Sequence, residues 1–196
     1  HEQFPAGDPY FHPALEADRG GVRFANFSQS DDSDSLFARC DFSSADVARS
    51  RALQSANRGP LDIRSVQWFV PSFHHPYYGG IYTILRLANH LRETRGVESR
   101  FAVVDDASPE LIRRAIGQAF PLLADSNVQV VVQPGEIKRL HDCDAAIATL
   151  WTTAYPLMHF NRTRRKFYMI QDYEPLFYPA GVHSALASAT YGFGHY

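Results

Sequence analysis

The stretch that decides the fold is Val66–Leu91, VQWFVPSFHHPYYGGIYTILRLANHL. Its first part, Val66–Pro71, is short, apolar and rich in β-forming residues, which predicts a buried strand. A loop that ends in Gly79-Gly80 follows. From Ile81 the apolar residues recur at helical spacing, and Gly96 lies where a helix C-terminal cap belongs. The stretch therefore predicts a strand, a glycine-containing loop and a helix in succession.

The same alternation of strands and helices continues to the end of the chain. Ser108-Pro109-Glu110 has the N-cap residue, first-position proline and first-turn acid that are typical of a helix start. We predict strands at Arg100–Val104, Val128–Val132, Asp144–Leu150 and Lys166–Gln171, and helices at 108–120, Trp151–His159 and His183–Phe193. Apolar strands that alternate with helices indicate an α/β fold, a Rossmann-like, doubly wound parallel sheet.

Residues 1–62 differ from the rest because their periodicity is weak. A helix over Ser44–Asn57 is predicted, with Val47, Leu53 and Ala56 facing inward and Gly59-Pro60 ending it. We expect residues 1–62 to form an N-terminal extension, partly irregular or helical, and residues 63–196 to form the Rossmann-like domain.

Composition excludes several classes of protein. The 196 residues are 45% hydrophobic and 13% aromatic, and this apolar content is too high for a disordered chain. The net charge of −2 gives no electrostatic footprint for nucleic acid, so no nucleic-acid partner is expected. Two cysteines cannot build a disulfide scaffold, and no apolar run approaches the roughly 20 residues of a membrane helix. Because the first residue is His1, we expect the chain to be part of a longer polypeptide.

The unusual residues follow the predicted strands. Segments 72–80, 151–155 and 171–179 each come directly after a strand, whereas segments before strands look like plain turns. Because the carboxyl ends of parallel strands lie at one edge of the sheet, we expect the three segments to meet at a common rim. Ligands bind at this edge in doubly wound folds, where the strand order reverses.

Gly79 and Gly80 lie between a strand and a helix N-terminus. Glycines there allow backbone N–H groups to approach an oxyanion, and the positive end of the helix favours it, so a phosphate or pyrophosphate is the natural ligand. The chain has no G-x-G-x-x-G fingerprint and no Walker lysine, which disfavours nicotinamide dinucleotides and P-loop chemistry. The alternative is that the glycines only allow a tight turn and close helix packing.

Polar residues of the rim allow several roles. His74 and His75 could contact a substrate, hold a metal together with Asp172 and Glu174, or have no special role. Adjacent histidines do not easily aim at one ion, and no supporting ligand pair is present, so we expect no metal. Asp172 or Glu174 could act as a general base, and the two would share a face if the strand continued. The alternative is that one of these carboxylates caps a helix or binds a neighbouring backbone N–H.

Aromatic residues are concentrated after residue 150. Trp151, Tyr155, Tyr173 and Tyr178 follow strand ends, and an apolar ring face with a polar tip suits stacking on a sugar ring. The alternative is that these rings pack against a second domain.

Four basic residues, Arg162, Arg164, Arg165 and Lys166, form a cluster. It is interpreted as a solvated turn before the last strand, with attraction to anionic lipid headgroups or a lipid-linked diphosphate as a second possibility.

The residues resemble a known family. Val66–Leu91 resembles the opening of GT-B glycosyltransferases of the fourth family. The segments ATLWTTAY (148–155) and KFYMIQDYEPLFYPAGVHSALASA (166–189) are similar to the N-terminal half of bacterial rhamnosyltransferases that build rhamnan and related surface polysaccharides. The Gln-Asp-Tyr-Glu-Pro motif is the more specific part, and the resemblance covers residues 66–196.

The resemblance implies the N-terminal, acceptor-side half of a two-domain enzyme whose C-terminal donor domain is absent from this chain. It implies metal-independent transfer, with retention, of a deoxysugar from a nucleotide sugar such as dTDP-rhamnose, and no further cofactor. The acceptor would be a saccharide or a lipid-linked saccharide, and the enzyme would be cytoplasmic or peripheral at the inner face of the plasma membrane. We expect this chain alone not to transfer sugar, because the family keeps its donor-binding carboxylates in the C-terminal domain.

By the same resemblance, Gly79 and Gly80 match the loop that approaches the donor diphosphate. The candidate acceptor-binding residues are His74, His75, Tyr77, Tyr78, Trp151, Thr152, Tyr155, Asp172, Tyr173, Glu174 and Tyr178. The catalytic residue is undecided between Asp172 and Glu174. Two alternatives stay open: a non-catalytic Rossmann-like module that binds a saccharide or nucleotide, and a structural domain that docks a partner domain through its aromatic face.

Overall fold

Five parallel strands form one sheet: β1 (Ser65–Val70), β2 (Glu98–Val103), β3 (Asn127–Val130), β4 (Cys143–Ala148) and β5 (Thr163–Tyr168). In the computed structural model, which describes residues 38–196, their order is β3-β2-β1-β4-β5. The chain therefore moves outward from β1 to one edge and then returns to the other side of β1. This order confirms the predicted doubly wound, Rossmann-like fold.

Helices cover both faces of the sheet: α1 (Ser44–Ala56), α2 (Gly79–Arg95), α3 (Pro109–Ala119), α4 (Trp151–His159) and α5 (Val182–Thr190), with short 3₁₀ helices at Pro121–Leu123, Pro134–Arg139 and Glu174–Phe177. Neighbouring residues of β1 point to opposite faces. Trp68 packs with residues of α2 and α3, whereas Phe69 packs with residues of α4. Each face of the sheet therefore has its own apolar core.

Local capping residues explain where several helices begin and end. The hydroxyl of Ser108 accepts a hydrogen bond from the backbone N–H of Leu111, and Pro109 is the first residue of α3, as predicted. Gly96 ends α2 in the left-handed conformation, with φ 65°. The predicted bounds of α4, Trp151–His159, are those observed.

The last strand lies three residues earlier than predicted, because it includes three members of the basic cluster, Arg164, Arg165 and Lys166. Lys166 is fully buried in β5, and its Nζ donates to Met158 O at 2.7 Å and to Asn161 Oδ1 at 3.0 Å. The ammonium group therefore has acceptors at the C-terminal end of α4, although burial lowers the pKa of Lys166 to about 7. The interpretation as a solvated turn is wrong for this residue.

The three arginines of the cluster are bound to different parts of the chain. Arg165 donates to the backbone oxygens of Asn57 and Gly59. The exposed guanidinium groups of Arg162 and Arg164 pair with Asp142 and Asp144. The cluster therefore does not form one free basic surface, and it gives no support to headgroup binding.

Helix α1 forms where predicted but buries a different face. Its N-terminus has a capping box between Ser43 and Asp46. Val47 and Leu53 are half-buried and Ala56 is exposed, so the inward position predicted for Ala56 is wrong. The buried residues of α1 are Ser50 and Gln54.

The face that α1 buries is polar because it lies against β5, an edge strand of the sheet. The side chain of Gln54 donates to Lys166 O at 2.6 Å and accepts from Lys166 N at 3.2 Å. Tyr196 also bonds the backbone of this edge, because its N–H donates to Lys166 O and its carbonyl accepts from Tyr168 N. Gln54 thus satisfies backbone groups that an edge strand would otherwise leave unpaired.

The described residues, 38–196, all belong to one compact unit. The division predicted at residues 62 and 63 stays a prediction, and the first 37 residues of the predicted extension lie outside the described part. Between residues 38 and 196, no helix has the length and apolar character needed to cross a membrane.

His195 is half-buried, but both of its ring nitrogens are shielded from solvent, and this weakens the fold. Within residues 38–196 neither ring nitrogen has a hydrogen-bond partner, and burial, helped by Lys166, lowers the pKa of His195 to about 3. The unfolded chain therefore binds a proton that the folded chain rejects between about pH 6.5 and pH 3. Stability from this residue falls as the pH falls through that range.

We predict that His195→Phe raises the free energy of unfolding by about 1 kcal/mol at pH 7, because it removes two unpaired polar atoms next to Phe193. The gain should grow as the pH falls from 7 to 5. Urea titrations at several pH values measure it. The same change at the exposed His90 is the control, and an equal effect at both positions would contradict the prediction.

Candidate functional site

Three segments that follow strands meet at one rim of the sheet. Gly80 lies in the first turn of α2, Thr149 follows β4, and Gln171 follows β5. The side-chain Nε2 of Gln171 donates to Thr149 O at 3.5 Å, and a Cβ placed on Gly80 would lie 3.2 Å from Gln171 Oε1. The hydroxyl of Thr149 donates to Phe69 O in β1 at 2.9 Å. The rim therefore lies beside β1 and β4, where the strand order reverses.

The two glycines of the rim have different surroundings. A Cβ on Gly79 would meet no atom within 4 Å, whereas a Cβ on Gly80 would crowd the amide group of Gln171. A side chain at position 80 would therefore require the Gln171 amide to move by a few tenths of an ångström, whereas a side chain at position 79 would enter open space. The N-cap residue of α2, Tyr78, makes no side-chain capping hydrogen bond. The N-terminus of α2 therefore has no side-chain cap, as an anion-binding helix end requires, and anion binding there stays a prediction.

Glu174 is a structural carboxylate. It is buried, and its Oε2 accepts hydrogen bonds from Trp151 N at 2.7 Å and from the hydroxyl of Tyr168 at 2.6 Å. Trp151 is the first residue of α4, so the carboxylate caps this helix, as one of the two alternatives predicted. Burial raises the pKa of Glu174, although both hydrogen bonds act in the opposite direction.

Asp172 and Glu174 do not share a face. Because β5 ends at Tyr168, the two acids lie beyond the strand, and the alternation predicted for a continuing strand is wrong. The Asp172 side chain is exposed, and its Oδ1 accepts from the backbone N–H of Tyr173 at 2.7 Å. Of the two candidate acids, Asp172 is the one that faces solvent at the rim.

Two of the candidate stacking rings belong to the core. Trp151 and Tyr155 are fully buried, so they offer no ring face to a ligand, and the stacking role predicted for them is wrong. The indole Nε1 of Trp151 donates to the hydroxyl of Tyr178 at 3.0 Å, and the hydroxyl of Tyr155 donates to Leu186 O at 2.9 Å. Thr152 is buried as well.

The exposed candidates lie in the loop before α2 and after β5. His74 and His75 are exposed, and the side chains of Tyr77 and Tyr78 are 57% and 62% exposed. Tyr173 is also exposed, and Tyr178 is half-buried. These rings are the candidate residues that remain accessible to a ligand. Throughout the described part of the chain, no group of three or more His, Cys, Asp and Glu side chains is placed to hold a metal ion.

Sequence reasoning missed two residues of the rim. Gln171, which follows β5, lies against Gly80 and Thr149 of the other two segments. Its place as the first residue of the Gln-Asp-Tyr-Glu-Pro motif could have identified it. Asp105 follows β2, pairs with Arg39 at 2.8 Å and accepts from Ser72 N at 3.5 Å. Its place directly after a predicted strand could have identified it.

A five-stranded parallel sheet whose strand order reverses between β1 and β4, with helices on both faces, defines a Rossmann-like α/β domain. Residues 66–195 match the family described as WsaF, N-terminal domain, and the chain belongs to that family.

One curated relative is similar over most of the chain. The O-antigen biosynthesis protein RfbC of Myxococcus xanthus is 40% identical over 147 residues, which are 74% of this chain and 11% of that protein. The chain therefore spans only a small part of this relative's length. No solved structure matches the chain.

We predict that Glu174→Ala lowers the free energy of unfolding by roughly 2–4 kcal/mol, because it removes from the buried core the carboxylate that accepts from the Trp151 N–H and the Tyr168 hydroxyl. Glu174→Gln keeps an acceptor oxygen and should lose less than half as much. Urea unfolding followed by tryptophan fluorescence measures both. Asp172→Ala is the exposed control, and a loss there as large as at Glu174 would contradict the capping role.

Proposed function

We propose that the chain is the acceptor-side half of a retaining GT-B glycosyltransferase. In this proposal the enzyme moves a deoxysugar, rhamnose from dTDP-rhamnose, onto a growing surface polysaccharide. The observation that carries it is the meeting of Gly80, Thr149 and Gln171 at the carboxyl edge of the sheet. Membership of the WsaF N-terminal domain family and 40% identity to an O-antigen biosynthesis protein support a role in polysaccharide synthesis.

The proposal assigns different tasks to different parts of the rim. The N-terminus of α2 at Gly79 and Gly80 receives the donor diphosphate, since its N–H groups carry partial positive charge. The exposed rings of Tyr77, Tyr78 and Tyr173 contact the acceptor sugar, together with His74 and His75.

The acid and the donor complete the proposed site. Asp172, which is exposed at the rim, is the acid available to an acceptor hydroxyl. Glu174 and Trp151 are buried beneath the site, where they position its segments without contacting substrate. The donor is held by a C-terminal domain, and we place the enzyme on the cytoplasmic side, free or at the inner face of the plasma membrane.

A second candidate is a saccharide- or nucleotide-binding module without catalysis. The observation in its favour is that Glu174, one of the two candidate acids, is occupied in capping α4. The sequence that follows residue 196 in the complete polypeptide distinguishes the two. A second α/β half with paired glutamates favours transfer, and an unrelated module favours binding alone.

We predict that Gly80→Val in the complete polypeptide weakens the binding of dTDP-rhamnose about tenfold, because the side chain fills the space that the diphosphate needs. Leu87→Val, which places the same β-branched side chain at an exposed position of α2 outside the rim, is the control for helix integrity. Calorimetric titration with dTDP-rhamnose measures both variants.

The double variant Gly80→Val/Gln171→Ala separates two causes. If the introduced valine side chain acted only by displacing the Gln171 amide, removing that amide would leave the double variant no weaker than Gln171→Ala alone. If the diphosphate is blocked, the double variant stays weaker than Gln171→Ala. Donor affinity unchanged in Gly80→Val would contradict the diphosphate role.

A further inference from the structure

A row of five rings runs from the loop before α2 to the end of α3. We name it the aromatic strip, and its members are His75, Tyr77, Tyr78, Tyr82 and Phe120. The ring centroids of His75 lie 5.2 Å from Tyr77 and 5.7 Å from Tyr78. Those of Tyr77 and Tyr82 lie 6.1 Å apart, and those of Tyr82 and Phe120 lie 5.4 Å apart. The strip therefore continues beyond the residues that the sequence pattern identified.

The strip is anchored at one end and open along most of its length. Phe120 is half-buried and packs against the core beneath α2 and α3. Tyr77, Tyr78 and Tyr82 are 57%, 62% and 37% exposed. Contiguous exposed apolar surface on a folded domain marks a binding site. Rings that already contact one another lose little freedom when a ligand covers them.

We propose that the aromatic strip is a track for an extended neutral polysaccharide chain, a site for several sugar residues that leads away from the rim. This inference rests on the function proposed above and adds a second binding region to it. The strip touches the rim, because Tyr78 is the N-cap residue of α2 and precedes Gly79. A saccharide at the rim would therefore continue onto the strip.

The chemistry of the strip favours a sugar polymer. Tyrosine and phenylalanine rings make up four of the five members of the strip, which fits a neutral or deoxyhexose chain better than an acidic one. The three tyrosines combine an apolar face, suited to the C–H face of a pyranose, with a hydroxyl that can bond sugar oxygens. Consecutive rings lie in contact, so consecutive sugar residues can each meet a ring.

The test is the dependence of affinity on chain length. Rhamnan disaccharide, tetrasaccharide and hexasaccharide are titrated into the 196-residue chain by calorimetry. We expect affinity to increase with length, because longer chains reach Tyr82. Tyr82→Ala should weaken hexasaccharide binding about threefold to tenfold and leave the disaccharide unchanged. Tyr82→Phe keeps the ring and should bind nearly as the parent chain does.

Leu87→Ala is the matched control, because Leu87 is exposed to the same extent on the same helix, 38% against 37%, and lies outside the strip. Thermal melts of all variants exclude unfolding as the cause of weaker binding. Equal loss in Leu87→Ala and Tyr82→Ala would overturn the proposal.

The remaining outcomes separate the strip from the function it rests on. If the hexasaccharide binds no tighter than the disaccharide, the aromatic strip does not bind sugar and that proposal is wrong, whereas binding at the rim is unaffected. Absence of binding for every oligosaccharide overturns both. If the chain forms a dimer that Tyr82→Ala dissociates, without effect on sugar affinity, the strip is an interface between copies and the proposal is wrong.

Discussion

The carboxylate of Glu174 is the contact on which the rim depends. It bonds the first N–H of α4 and the hydroxyl of Tyr168 at the end of β5, so one buried group joins the segments that follow two neighbouring strands. Three residues before it, the amide of Gln171 lies against Gly80 and Thr149. Because a helix N-terminus attracts a negative charge, the attachment also stabilises α4. The buried carboxylate thus fastens the segment that contains Gln171 to α4 and β5.

Burial divides the residues of the rim into two groups with different tasks. Trp151 and Tyr155 are inside, where their polar atoms bond Tyr178 and Leu186 and their rings fill the core beneath α4 and α5. Tyr77, Tyr78 and Tyr173 are outside and leave ring faces open. Both groups follow strand ends and have the same side-chain chemistry, so the pattern of residues could not separate them. Only the packing against α5 does.

The sequence predicted those features that are local. Ser108-Pro109 and Gly96 identified helix ends because the groups that they satisfy lie within one turn, and the apolar runs identified the strands in their order along the chain. The register of β5 and the buried face of α1 were not predictable in this way. Lys166 depends on the carbonyl of Met158, and Gln54 bonds the backbone of Lys166 across 112 residues. The capping role of Glu174 was an open alternative until the fold placed Trp151 beside it.

The distribution of polar groups also explains why a site can exist at this edge. Beside β5 the edge of the sheet is covered by Gln54 and Tyr196, and the arginines of β5 are bound by carbonyls or acids, so these surfaces have few unsatisfied groups left. At the carboxyl edge the opposite holds. The first turn of α2 has no side-chain cap, Asp172 is exposed, and the exposed ring of His75 contacts those of Tyr77 and Tyr78. Exposed polar groups and ring faces on a rigid frame are the ones that a ligand can contact, and at the carboxyl edge of this sheet they lie together.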